Sequence, residues 1–512
     1  MKYRNIVITL QLFFAAILFF FSVPQPLGAQ AFPPLDPSQK AYEYARRIAV
    51  TDVPWLDLAE ASLWASSVLA GPGAEEKAAS YLNSIKTAAA ELASSALPQA
   101  PRERGEAVLA FLHKKFLKSY SEYQTRVDEV FVTGRYNCVS SALLYMVLCK
   151  SLGLEVEGVM TRDHAFVLVK AGTETIDVET TNLYGFDPGN RKEFQDAFGK
   201  TTGFAYVPAR NYRDRITISP AELVSLILSN RIAVLERGNR YADAVPLAIN
   251  RAVLLSPGIG NGSSQNGSQN RADFFEDPQK ELTGKLINLG AYYIRNGKED
   301  DAIAWAAYAG ARFPDTENPA ALSRWQELIK AAVNNKLVKL IRAKKTPDAR
   351  EALAAAKEKL SDVNYYELDI LVLEAEVADR VNSIRREGDA GKALDFIAQN
   401  WERLPHARRE EMRYTAILAE ADRLGKARDW QGGIRYLAGA IELYGSNARL
   451  QGVYSTMRQN RVSELHNEFA VIFNKRDYSG AKASVEKSLL EFPGDKQLLQ
   501  DLVLAEKALM QQ

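Results

Sequence analysis

After Pro220 the sequence offers no convincing strand, and the text runs alanine-rich and helical to its C-terminus. Within it a small residue and a proline recur twelve positions apart, at Ala302/Pro314, Ala393/Pro405 and Ala481/Pro493. Gly433/Gly445 keeps the same interval, and looser copies surround Ala244 with Pro257, and Ala352. Small residues let two helices approach closely, and a proline ends the second helix. A recurring interval is harder to obtain by chance than helicity, so it points to helical units stacked on their neighbours. An ordinary helical bundle with alanine contacts is the other reading.

Leu289-Gly290, Tyr293, Ala302, Ala309 and Pro314 stand at tetratricopeptide spacings, and the region 216–512 resembles a degenerate tetratricopeptide-type solenoid. Its anchors lie 40 to 58 residues apart, against about 34 in that family, which implies longer helices or unrecognised hairpins. The resemblance implies a protein partner on the repeats. The stretch 258–270 is Gly, Ser, Asn and Gln apart from Ile259, and reads as a flexible insert.

The other end of the chain reads as an address. Lys2 and Arg4 precede an apolar run over 6–23, then Pro24, Pro26 and the small residues Gly28, Ala29 and Ala31. This is the pattern of a secretory signal peptide over 1–31, with Ala29-Gln30-Ala31 as cleavage site. It predicts an exported protein, periplasmic or extracellular. The alternative is an N-terminal membrane anchor, with membrane contact only if the segment stays uncleaved. With 64 basic and 63 acidic residues the net charge is +1, which argues against a nucleic-acid partner.

Between these ends the texture changes twice. Residues 32–100 read as a helical lead-in. Over 101–215 come an amphipathic helix through Val108–Phe116, an apolar helix from Cys138 to Gly153, and β-branched runs at 155–161, 165–170 and 175–181. Ala171-Gly172 marks a hairpin turn between the last two. Short strands are expected at 204–207 and 215–218.

The only two cysteines, Cys138 and Cys149, exclude a disulfide scaffold, and four histidines leave a zinc cluster unsupported. On one helix the pair stands about 16 Å apart at 1.5 Å per residue, too far to bridge. Cys149 reads as a buried small hydrophobe. Cys138 lies where a loop runs into a helix, and free N–H groups and the helix dipole there favour a thiolate. His164 opens a strand, and Asp177 and Glu179 lie on the next one, where the hairpin sets residue 164 opposite 177 or 179. A histidine serves such a thiol as base and then acid, and a carboxylate fixes the imidazole tautomer. His113, His406 and His466 read as surface or groove residues.

A cysteine at a helix start, a histidine opening a strand and an aspartate on the following strand resemble the core of the transglutaminase-like (papain-like) cysteine superfamily. That resemblance implies Cys138 as nucleophile, His164 as base and Asp177 as orienting acid. Phe166 stands where the family often has tryptophan, and Val178 where it often has proline. Glu179 is a second orienting candidate. Gln124, Tyr136 and the Cys138 backbone N–H are candidates for the oxyanion donor.

The expected architecture is therefore an α+β transglutaminase-like core with a helical lead-in, followed by an all-α tetratricopeptide-like solenoid. The expected function is an exported thiol-dependent hydrolase or acyltransferase acting on peptide or amide bonds of a protein or peptide substrate, with no metal or organic cofactor. The alternative is a non-catalytic envelope scaffold whose repeats bind protein partners.

Overall fold

In the computed structural model the described residues are 32–50, 52–189, 192–202, 215–256, 275–313, 319–361 and 363–511. The expected signal segment, the insert at 258–270, the strand at 204–207, and the anchors Pro257 and Pro314 lie outside them.

The chain forms two compact units, one ending at Ala332 and the other spanning Val333–Gln512. In the first, helices α1 (Gln39–Arg47), α2 (Trp55–Ser67), α3 (Ala74–Ser94) and α4 (Pro101–Lys115) come before any strand. Pro101 begins α4 because the first helical position needs no N–H. Strand β1 (Ser119–Tyr120), helix α5 (Val127–Thr133) and strand β2 (Arg135–Tyr136) lead into α6 (Cys138–Ser151). The β1 and β2 strands pair in parallel, with Tyr120 opposite Tyr136.

Four strands follow as a small sheet in the order β5-β4-β3-β6, from β3 (Val156–Met160), β4 (Ala165–Ala171), β5 (Glu174–Val178) and β6 (Ile216–Ile218), with α7 (Lys192–Thr202) between the last two in sequence. All its pairings are antiparallel. Val167 and Val169 point into the main core, while Phe166, Leu168 and Val159 form a separate cluster. This is the two-residue alternation of a sheet buried on both faces. The three expected strands and the one at 215–218 are present, with ends shifted by one to three residues.

Helical hairpins make up the rest. Helices α8 (Pro220–Arg237), α9 (Tyr241–Leu254), α10 (Pro278–Arg295) and α11 (Glu299–Arg312) belong to the first unit, and α12 spans Pro319–Arg342. The second unit continues with α13 (Thr346–Lys359), α14 (Tyr366–Glu387), α15 (Ala390–Gln399), α16 (His406–Lys426), α17 (Trp430–Tyr444), α18 (Ala448–Asn474), α19 (Tyr478–Glu491) and α20 (Lys496–Met510). A local device recurs along this stretch. Asn239, Gly297, Lys344, Gly388, Arg428 and Arg476 each sit between two helices with φ in the left-handed region. Five positions after each comes a buried small residue: Ala244, Ala302, Ala349, Ala393, Gly433 and Ala481. Left-handed backbone closes the first helix, and the small side chain seats the second against it. The small residue of each unit is the anchor expected from the sequence, except that Ala349 takes the place of Ala352.

The fold class differs from the expectation. The chain is 72% helical, with twenty helices and two small sheets among the described residues, and is mostly solenoid-like. It is not an α+β transglutaminase-like core followed by a separate all-α array. The strands are two to seven residues long, so they bury too little surface to organise the unit. Helices do that instead. Every residue of α2 from Leu58 to Ser67 except Glu60 is buried, and α2 packs on α3, α5, α6 and α8. Phe32 stacks on Tyr308 and meets the edge of Trp305. The residues expected as a lead-in and the first hairpins thus share one core with the sheet.

Candidate active site

Asn137 starts the site. Its side-chain oxygen accepts from the Val139 and Ser140 amides, and Ser140 Oγ accepts from the Asn137 amide, a reciprocal cap that fixes where α6 begins. Cys138 is therefore the first helical residue. Its N–H has no carbonyl one turn back to bond, and its side chain is half-exposed. Cys149, by contrast, is fully buried near the far end of the same helix, where burial pushes its thiol up beyond the usual range.

The Cys138 thiol is close enough to the His164 imidazole to act on its charge. His164 stands just before β4, and its backbone carbonyl accepts from the Thr161 amide at 2.8 Å. Its Nε2 lies 2.6 Å from Glu179 Oε2, which leaves Nδ1 for the thiol. Phe166 and Phe198 flank the ring at 6.5 and 6.1 Å between centroids. Burial works to lower the His164 pKa, but the negative charges of Glu179 and Cys138 and hydrogen bonds to both outweigh it, and the net direction is well above the ordinary value. An imidazole so placed can take the thiol's proton and hold it.

The carboxylate that meets His164 is Glu179, the second candidate, and not Asp177. Register decides this. Asp177 pairs with Leu168 and Val178 with Val167, so Glu179 falls opposite Phe166, two residues nearer to His164. Asp177 instead receives both terminal nitrogens of Arg215 at 2.9 Å, with that guanidinium 5.2 Å over the Phe166 ring.

The segment carrying Glu179 is clamped on all sides. Glu179 Oε1 accepts from the Thr181 amide at 3.2 Å and its hydroxyl at 2.7 Å. Thr180 Oγ1 meets Ser141 Oγ at 2.8 Å, and the Thr180 carbonyl lies 3.1 Å from His113 Nε2. Burial pushes the His113 pKa down to about 4, partly offset by that bond, so the neutral ring donates to the carbonyl. The turn after Glu179 closes through Gly185, whose carbonyl accepts from the Glu179 amide at 2.8 Å. A Cβ on Gly185 would stand 1.9 Å from the Glu179 carbonyl oxygen, so no side chain fits there.

The two side chains expected as oxyanion donors are both committed elsewhere. Gln124 Nε2 donates to the Arg126 and Arg135 carbonyls at 3.0 and 2.7 Å, and its oxygen accepts from the Arg126 amide. It latches the loop ahead of α5. Tyr136 donates its one hydroxyl hydrogen to the Thr181 carbonyl at 3.0 Å, and burial, with Glu179 nearby, pushes its pKa up to about 12. It positions the Glu179 segment. His113 and Ser141 were missed as positioning residues, because nothing in a helical sequence says which loop its polar residues will meet.

No family model matches the chain, and no curated protein matches it. Among solved structures it is similar to one titled "Crystal structure of menin reveals the binding site for Mixed Lineage Leukemia (MLL) protein", at 15% identity and a TM-score of 0.29, covering 84% of this chain and 99% of that one.

Proposed function

We propose that the protein is an exported thiol-dependent hydrolase or acyltransferase whose working residues are Cys138, His164 and Glu179. The observation that carries this reading is the pairing of a helix-start thiol with an imidazole held by a buried carboxylate at 2.6 Å. Cys138 Sγ attacks an acyl carbonyl carbon while His164 takes the thiol proton. The tetrahedral adduct collapses, the bond to the leaving amine breaks, and His164 gives that amine the proton. Water or a second amine then attacks the thioester, releasing a carboxylic acid or a transferred acyl group and restoring the thiol. Glu179 holds the ring and stabilises its charged form throughout. The hairpin array, with its resemblance to tetratricopeptide repeats, would present the protein or peptide substrate, or a protein partner.

The test is alkylation of the full chain by iodoacetamide at pH 6, with the modified peptide mapped. Cys138 is expected to react at least ten times faster in wild type than in His164→Ala, while Cys149 stays unmodified. Equal rates would sink the enzymatic reading.

The commitment of Gln124 and Tyr136 to backbone carbonyls favours a second reading, a non-catalytic envelope scaffold. It predicts that Cys138→Ala leaves partner capture intact, and that no acylated Cys138 peptide is ever recovered.

A further inference from the structure

An acyl-transfer site needs a donor aimed at the oxygen on which charge develops, and neither Gln124 nor Tyr136 has a hydrogen left to give. A third residue does. Tyr120 lies on β1 opposite Tyr136, two positions ahead of Cys138 in the paired strand. The two rings meet edge to face at 6.1 Å, and Tyr120 and Cys138 both line the half-buried margin of the main core. Among the described residues the Tyr120 hydroxyl has no hydrogen-bond partner. Burial raises its pKa, and the charges of Cys138, Glu122 and Glu179 push the same way, so the phenol keeps its proton.

We propose that the Tyr120 hydroxyl and the Cys138 backbone N–H together form the oxyanion site, and that the substrate is accordingly a carbonyl acyl donor. The assignment rests on the function proposed above. As the Sγ–C bond forms, the carbonyl π pair moves onto oxygen, and that charge is shared between the phenol O–H and the amide N–H. Both donors keep their protons. The pair returns when the leaving group departs with the proton from His164.

Two probes separate this role from a structural one. Iodoacetamide alkylates by displacement at a tetrahedral carbon and builds no oxyanion, whereas p-nitrophenyl acetate acylates through one. In the full chain, Tyr120→Phe is expected to slow the p-nitrophenoxide burst by ~10²–10³-fold and to leave the iodoacetamide rate at Cys138 unchanged. Tyr136→Phe, which loosens the Glu179 segment, is expected to slow both. An unchanged burst in Tyr120→Phe overturns the assignment. Equal slowing of both probes does so too, since it makes Tyr120 a packing residue, and faster alkylation makes its hydroxyl a cover over the thiol. A wild-type chain whose alkylation ignores His164 overturns the proposed function, and the oxyanion site with it.

Discussion

Among the described residues two histidine–carboxylate pairs stand out, one in each unit, and they are nearly the same object. His164 Nε2 lies 2.6 Å from Glu179, and His466 Nδ1 lies 2.8 Å from Asp501. Both carboxylates have side chains 4% exposed, but the histidines differ, at 14% for His164 and 39% for His466. Their company differs more. His466 sits on α18, its Asp501 on α20, and Gln497 bonds both, so the pair clips two helices of one hairpin array together. His164 also feels the Cys138 thiol, and both cysteines belong to the first unit. A histidine bound to a buried carboxylate can thus serve as a structural clip alone. A helix-start cysteine stands near one of the two pairs, and only that pair carries the proposed chemistry.

The sharpest way to break that contrast is to neutralise the carboxylates. Glu179→Gln is expected to slow p-nitrophenyl acetate turnover by ~10²-fold or more by losing the ring's orientation and charge partner. Asp177→Asn and Asp501→Asn should leave it within about twofold, since neither touches His164. An Asp177→Asn as slow as Glu179→Gln would mean that the strand register is wrong.

Gly185→Ala attacks the same carboxylate from behind. The added methyl has only backbone to displace, the Glu179 and Asn182 carbonyls, and overpacking of this kind costs ~1–3 kcal/mol or more. Denaturant unfolding should show that loss together with slowed acylation, whereas Gly452→Ala, in the array and facing open space, should show neither.

The histidines also separate by pH. Folding raises the His164 pKa above its ordinary value of about 6.5. Its contribution to stability is full below that pH and is lost as pH climbs through the raised folded value. His113 runs the other way. Its pKa is pushed down to about 4, so its contribution is intact above ~6.5 and lost as pH falls toward 4. Melting temperature against pH should therefore lose an alkaline-side decline in His164→Ala and an acid-side decline in His113→Gln. The smallest effect is that of His466→Ala, about 1 kcal/mol of stability by urea titration and no change at Cys138.

The helix-start setting of Cys138 and the strand-opening setting of His164 were legible, because local pattern suffices to place each. The carboxylate was not. Asp177 and Glu179 share strand parity, and only a register measured to two residues separates them. The proposed oxyanion donor was less legible still, because it depends on which polar side chains have already given their hydrogens to backbone. Tyr120 sits on a two-residue strand with no periodicity to announce it. In the array, the small residue of each hairpin could be read directly, while its partner, the left-handed turn residue, hides under Lys344, Arg428 and Arg476 as readily as under Gly297. The fold class was misjudged for a different reason. Strand patterns in the sequence say that a sheet exists, not how much of the core it supplies.

Helix α2 carries a last consequence. It lies some seventy residues before Cys138 in sequence, yet Ser66 Oγ accepts the Val127 amide at 2.8 Å, and Arg231 on α8 reaches back to the Ala65 and Val68 carbonyls at 2.7 Å. The segment 101–215 therefore has no boundary at which it can be cut. Freed of α2 and α8 it would expose the apolar flank of α6 and the unpaired ends of its neighbours. The segment that carries Cys138, His164 and Glu179 is not a cassette that recombination can lift out and graft elsewhere. It is inherited with its helices or not at all.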